Sequence, residues 1–347
     1  VNFSEHKNLP FQRWHYYQEG YSPKLVSEIF SYLNLNPKKS MILDPFTGSG
    51  STLVSAQENH IDAIGIELNP FSFFMAQAKT KYYKANSIKL CENFKIPSYK
   101  KIKNIYKQYN LSIIEKLYSK ENLTKIELIQ NAIEIIKDED AKIILKATLL
   151  SILEFCSNYK KGGNGLKKRK KENNADIFIE FKKKLITILE DIDCRNSNSK
   201  IRIFNSNVNQ LNKLVKNKSI DLTIFSPPYA NCFDYFEVYK IELWIGRFVK
   251  NYKELRELRK SALTSNLNAN LKQEASIKEI KSLIFKHVIK IIEKRDLWDK
   301  RIPKMLALYF IEMQNLIKDL FKKQKNNSFV AIIVGNSAYG GIPVSTD

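Results

Sequence analysis

Long apolar runs are missing from this sequence. Nowhere do roughly 18 apolar residues follow one another, about the length needed to cross a bilayer, so a soluble chain is expected and membrane-spanning function classes are set aside. Cysteine is scarce. The four present, Cys91, Cys156, Cys194 and Cys232, form no CxxC pair and no His/Cys cluster of metal-ligand spacing, so no metal is expected and the thiols read as buried and free, in a reducing cytoplasm. Acids are outnumbered: 36 Asp and Glu stand against 57 Lys and Arg, a formal charge of +21. That excess goes well beyond what solubility needs and sets up a field favouring polyanions, nucleic acid first. An AT-rich genome, which enriches Lys and Asn, is a second source of the same excess.

The 347 residues suffice for one large α/β domain of about 200 residues with an insertion or a smaller second domain. MILD at 41–44 is a short apolar run closed by an acid; a Gly/Ser-rich turn and the helical TLVSAQEN follow, which predicts strand, loop, helix. AIGIE at 63–67 predicts a second strand, again ending in an acid, and FSFFMAQAKTKYY a second helix, so that a βαβ unit closes by about residue 82. From 100 to 195 the pattern turns helical, as in IELIQNAIEIIKD and AKIILKATLLSILEFCSNY. Strands return at 200–204 (KIRIF), 221–225 (DLTIF) and 329–334 (FVAIIV), the last preceded by a helix over 304–323. The expected fold is a doubly wound, mostly parallel α/β sheet, Rossmann-like, with a helical insertion. The corresponding segments are 1–82, an insertion over 83–199, and 200–347.

Two acids frame the chemistry. Asp44 ends a strand just before a glycine-rich turn, at the sheet edge where backbone N–H groups and a closely approaching ligand can meet; it would hold a cationic or amine-bearing part of that ligand. A structural loop would show such a turn as well. Glu67 changes the balance, because it ends the next strand about 20 residues later, the position from which a carboxylate grips a ribose diol. The turn has no Lys of the GxxxxGK[ST] type, which disfavours a nucleoside triphosphate and points to a nucleotide-like cofactor without a phosphate clamp.

LDPFTGSGST at 43–52, IGIELNP at 64–70 and SPPY at 226–229 together resemble the amino-methyltransferases that act on DNA, of the N(4)-cytosine and N(6)-adenine restriction–modification type. The resemblance implies S-adenosylmethionine as cofactor, bound by Asp44, Pro45, Phe46, Thr47, Gly48, Ser49 and Gly50, with Glu67 on the ribose and Leu68 beside it. It implies that Ser226, Pro227, Pro228 and Tyr229 are the catalytic segment. Two prolines fix that backbone, Ser226 adds a hydroxyl acceptor for the target amine, and Tyr229 can stack on a base extracted from the duplex. A looser match, FQRWHYYQEGYSPKLVSEIF at 11–30, places Tyr21, Ser22 and Pro23 at the cofactor's methionine end or in an aromatic-rich helix cap. Asn207 stands where the family often has an acid near the adenine, and here it is an amide or an ordinary loop residue.

The partner implied is double-stranded DNA. KKGGNGLKKRKKENN at 160–174 carries three glycines and seven basic residues without apolar periodicity, and is expected to be a mobile loop, either DNA-facing through Lys160, Lys161, Asn164, Lys167, Lys168 and Arg169 or merely solvated. Asp234 and Tyr235, next after SPPY, are candidates to wall the base pocket and meet DNA. An initial Ser in the catalytic segment accompanies cytosine N(4) in this family more than adenine N(6), so cytosine is the expected base. Methylation at cytosine carbon 5 needs a Pro-Cys nucleophile, and none of the four cysteines follows a proline. An RNA amino-methyltransferase or a nucleic-acid-binding subunit without catalysis are the other readings. Sheets of the family continue past the fifth strand into an antiparallel hairpin, whereas only 13 residues follow Val334 here. The expectation is therefore a fragment, or an edge completed by a partner chain; a cognate restriction endonuclease is a further expected partner.

Overall fold

A computed structural model of the chain describes residues 8–18, 20–37, 39–101, 114–163, 165–272 and 277–345. The central sheet has five strands, β1 (Met41–Asp44), β2 (Asp62–Glu67), β5 (Ile201–Asn205), β6 (Ile220–Phe225) and β7 (Gln324–Ile332), in the order β5-β2-β1-β6-β7. Every pairing is parallel. Two antiparallel pairs lie outside it, β3 (Tyr159–Gly162) with β4 (Gly165–Lys168), and β8 (Ser337–Tyr339) with β9 (Ile342–Val344).

The helices are α1 (Pro23–Tyr32), α2 (Ser51–Glu58), α3 (Pro70–Thr80), α4 (Ala85–Glu92), α5 (Ile114–Leu117), α6 (Lys120–Glu134), α7 (Glu139–Ile152), α8 (Ile177–Asp193), α9 (Leu211–Leu214), α10 (Tyr235–Val238), α11 (Lys240–Ile245), α12 (Tyr252–Ser261), α13 (Leu283–Glu293) and α14 (Ile302–Lys323). Many start on a side chain that satisfies a free backbone N–H: Ser22, Asn69, Ser119, Asp138 and Asp176 each accept one or two such bonds.

Side chains alternate across the sheet as a doubly wound fold requires. Ile42, Ala63, Leu222 and Ile224 bury against α1 and α2, whereas Leu43, Ile64, Ile66 and Phe225 bury against α13 and α14. The strands therefore read as near-continuous apolar runs, as expected of a sheet covered on both faces. The largest apolar cluster gathers α4–α8 with Phe71 and Met75 of α3, Trp14 near the N-terminus, and Tyr239 and Trp244 after SPPY. The insertion thus shares its core with the segments that flank the site. Its N-terminal clamp is ionic: Arg13, the Phe11 N–H and the Trp14 indole all donate to the buried Asp191 of α8. Among the described residues, no helix is long and apolar enough to cross a membrane.

Three expectations change. The fifth strand begins at Gln324, five residues before the apolar run, because Gln324 pairs with Ile220 ahead of a register shift that bulges residues 325–328 before Phe329 meets Leu222. The residues after Val334 form a short antiparallel pair, β8–β9, which among the described residues is not joined to the central sheet. Finally, the basic segment expected to be mobile forms the hairpin β3–β4, with Lys161 facing inward.

Candidate active site

At the carboxyl end of β1 the Asp44 carboxylate accepts from the Phe46 N–H at 3.0 Å and from the Tyr21 hydroxyl at 3.0 Å, and Tyr21 also bonds Thr52. Thr47 ties the turn back to its own strand and to the neighbour: its hydroxyl donates to the Asp44 carbonyl at 3.0 Å, its N–H to Ile66 at 3.1 Å. Gly48 and Gly50 have φ of +54° and +92°. At Gly48 a Cβ would come within 2.9 Å of the Tyr17 ring, and at Gly50 within 3.0 Å of Ala76, so sterics and conformation both demand glycine.

Glu67 turns toward this loop. One carboxylate oxygen accepts from Gly48 N–H at 2.7 Å, the other from Asn69 N–H at 2.7 Å. Burial, only partly offset by these bonds, raises Glu67 to about 7 and Asp44 to about 6. Two carboxyls so desolvated gain from any hydroxyl or ammonium donor brought to them.

The second turn, after β6, faces the same space. Ser226 donates its hydroxyl to the Tyr229 hydroxyl at 2.7 Å. Pro227 is buried. The C-terminal hairpin supports the turn from behind: the Tyr339 hydroxyl donates to the Ala230 carbonyl at 2.8 Å, and Gly335 lies so close to the Tyr229 ring that a Cβ there would approach to 2.9 Å.

One cavity, enclosing about 980 Å³ counting its open mouth, joins the two turns. Of the residues expected at a cofactor, Pro45, Phe46, Thr47, Gly48, Ser49, Glu67, Leu68, Tyr21 and Asn207 line it, together with Ser226, Pro228 and Tyr235. Asp44 lies beneath this wall, 1% exposed, and Gly50 serves as the N-cap of α2. Ser22 and Pro23 start α1, and Tyr229 packs beside the cavity against Gly335. The Asn207 amide is committed locally, donating to the Ser261 carbonyl and accepting from Asn209 N–H at 2.7 Å.

Sequence reasoning missed part of the wall. Tyr17 stacks on Tyr239 at 4.9 Å and on Tyr235 at 6.3 Å, a ladder of rings leaning over Gly48. Ser265 and Asn266 enter from the segment after α12, where Glu312 of α14 accepts from both the N–H and the hydroxyl of Thr264. Tyr17 lay within the aromatic segment already noted; LTSN at 263–266 carries no recognisable motif.

The residues expected to face DNA divide. Lys160, Lys167 and Lys168 are exposed on the β3–β4 hairpin, and Arg169 is half-buried, donating to the carbonyls of Ser157 and Glu154. Lys161 is a correction: its ammonium is fully buried, paired with Glu242 and with Glu154 at 3.3 Å, and sits 4.3 Å above the Tyr239 ring, where no DNA can reach it. Asp234 is a second correction. Only 3% exposed, it caps α10 through the Phe236 and Glu237 N–H groups and pairs with Arg259 at 2.9 Å. Asn164 lies outside the described residues.

Residues 4–80 match the family described as DNA methylase, N6_N4_Mtase. Over the whole chain the sequence is 29% identical to the Type II methyltransferase M.AvaI of Nostoc sp., covering 78% of that protein. It is 29% identical to M.BsoBI of Geobacillus stearothermophilus over 99% of the chain and 78% of the relative, and 22% identical to M.MvaI of Kocuria varians over 96% and 79%. No solved structure matches. By these comparisons the chain is similar to Type II DNA methyltransferases, and its five-stranded parallel sheet agrees with a Rossmann-like methyltransferase fold. Within that class, the family model and the Type II relatives support the amino-methyltransferases of restriction–modification systems.

Proposed function

We propose that this chain transfers a methyl group from S-adenosylmethionine to the exocyclic amine of a base flipped out of duplex DNA, with N(4) of cytosine as the acceptor. The observation that carries the reading is the single cavity in which the Gly48–Glu67 wall meets Ser226. The residues fit such a cofactor. Glu67 retains acceptor capacity for a ribose diol, and the Asn69 side-chain amide nitrogen, buried in the wall, has no partner of its own. Asp44 acts at one remove, by holding the Tyr21 hydroxyl and the turn. When bound, the cofactor supplies an electrophilic methyl on a good leaving group, so the protein's task is alignment more than proton abstraction.

Ser226 supplies the acceptor that orients the amine. Its hydroxyl is held by Tyr229, so a base amine entering the cavity meets an oxygen already fixed in position. Pro228 and Tyr235 offer apolar and aromatic surface for the base plane. The formal charge of +21 and the exposed lysines of β3–β4 favour duplex DNA as the polyanion. Cytosine rests on the family association of an initial Ser in this segment, and a companion restriction endonuclease on the Type II relatives.

Nucleoside mass spectrometry of DNA from a host expressing the gene tests this, with Ser226→Ala as control. A 4-methylcytosine peak lost in the variant supports the proposal; a 6-methyladenine peak keeps the enzyme class and replaces the base. Neither peak would favour RNA substrates or a non-catalytic binding subunit.

A further inference from the structure

Lys79, near the end of α3, is wholly buried behind the glycine-rich turn, and its ammonium donates to the Ser49 hydroxyl at 3.2 Å. A buried ammonium normally finds a carboxylate. Among the described residues it makes no ion pair with a carboxylate, and the charged group that acts on it is a second cation, Lys184 of α8. Lys79 acts in turn on His15 of the N-terminal segment, and the Arg195 guanidinium donates to the Lys79 carbonyl. Burial first, then Lys184, push Lys79 down to about 7.

Ser49 is the link to the cavity, which it lines. In its protonated form Lys79 has donors only, so the Ser49 oxygen then accepts and its own proton is left to donate to another group. Asp44 and Glu67 provide acceptors on the β1–β2 side of the same turn; Ser49, backed by a cation, provides a donor. We propose that Lys79 is a positioning residue which, through Ser49, makes one end of the cavity selective for an anionic group, the α-carboxylate of the cofactor's amino-acid portion. This rests on the cofactor reading above. The missing counter-charge of Lys79 is then supplied by the ligand, one hydroxyl away.

The test measures calorimetric affinities for S-adenosylmethionine and for decarboxylated S-adenosylmethionine, which differ only in that carboxylate. Wild type, Lys79→Met and Ser49→Ala are compared, with thermal melts of each. Wild type should prefer the carboxylated ligand by about tenfold, in line with a charge-assisted hydrogen bond, and both variants should erase the preference, the carboxylated ligand losing about tenfold more affinity than the decarboxylated one. Lys79→Met should also melt higher than wild type, since an apolar chain of similar length replaces a buried unpaired charge. Equal weakening of both ligands in the variants would make Lys79 a mere prop of the loop and overturn the proposal, as would a preference that survives both substitutions. Failure of wild type to bind either ligand would overturn the cofactor reading itself, and the role of Lys79 with it.

Discussion

The two turns that share the cavity are built on opposite principles. The turn after β1 is held by carboxyls: Asp44 and Glu67 accept from its backbone and from Tyr21, and both are desolvated enough to titrate near 6 and 7. The turn after β6 is held by proline stiffness, one hydroxyl–hydroxyl bond and the neutral support of Gly335 and Tyr339. On the proposed reading, the first turn keeps acceptors in reserve for a polar cofactor, whereas the second holds a single oxygen fixed for an incoming base. The difference teaches that binding and turnover can be damaged separately.

The largest separation is expected from Ser226→Ala. Turnover should fall by about 10²-fold or more, as when a positioned polar group of a reacting site is removed, with cofactor affinity within about twofold of wild type; single-turnover methylation alongside calorimetry checks both. Lys161→Met should destabilise the packing that supports the cavity wall from behind. It leaves Glu242 buried without its ion-pair partner and removes the cation beneath the Tyr239–Tyr17 ladder, so a loss of about 3–5 kcal/mol is expected in denaturant unfolding. Glu67→Ala is the mirror of Ser226→Ala: cofactor affinity should drop about tenfold while the fold persists, and unchanged affinity would remove Glu67 from the cofactor's grip.

Titration sharpens the contrast further. Glu67 is raised from 4.5 to about 7, so the unfolded chain releases this proton first as pH rises. The cofactor-free protein should therefore lose stability between about pH 4.5 and 7, and Glu67→Gln should flatten that part of the profile, whereas Ser226→Ala should not alter it. The smallest effect belongs to the surface. Replacing Lys160, Lys167 and Lys168 by Gln should reduce the salt dependence of duplex binding by about 2–3 in the slope of log K against log salt and leave cofactor affinity alone.

The segments that line the cavity were largely legible in the sequence because they are local. Asp44 to Gly50 and Ser226 to Tyr229 are continuous segments at strand ends, and an acid closing the second strand is read by counting. What escaped depends on partners far along the chain. A run of lysines looks solvated until Glu242, 81 residues away from Lys161, is placed beneath it. Asp234 looks like a site residue beside SPPY until Arg259 and the N-terminus of α10 claim it. The polar start of β7 carries no strand signal of its own, because only the facing edge of β6 makes it one.

The strand order also constrains how the molecule assembles. β5 pairs with β2 along five residues, although residues 68–200 intervene. Bringing such distant ends together as a bare chain carries an entropic penalty that grows with loop length, and contacts of this span are slow to form. Folding of α4–α8 before β5 docks shortens the gap, so the β1–α2–β2 unit should form early and the β5 edge late. In native-state hydrogen exchange, β5 amides should accordingly open at lower free energy than those of β1, even though both belong to one sheet.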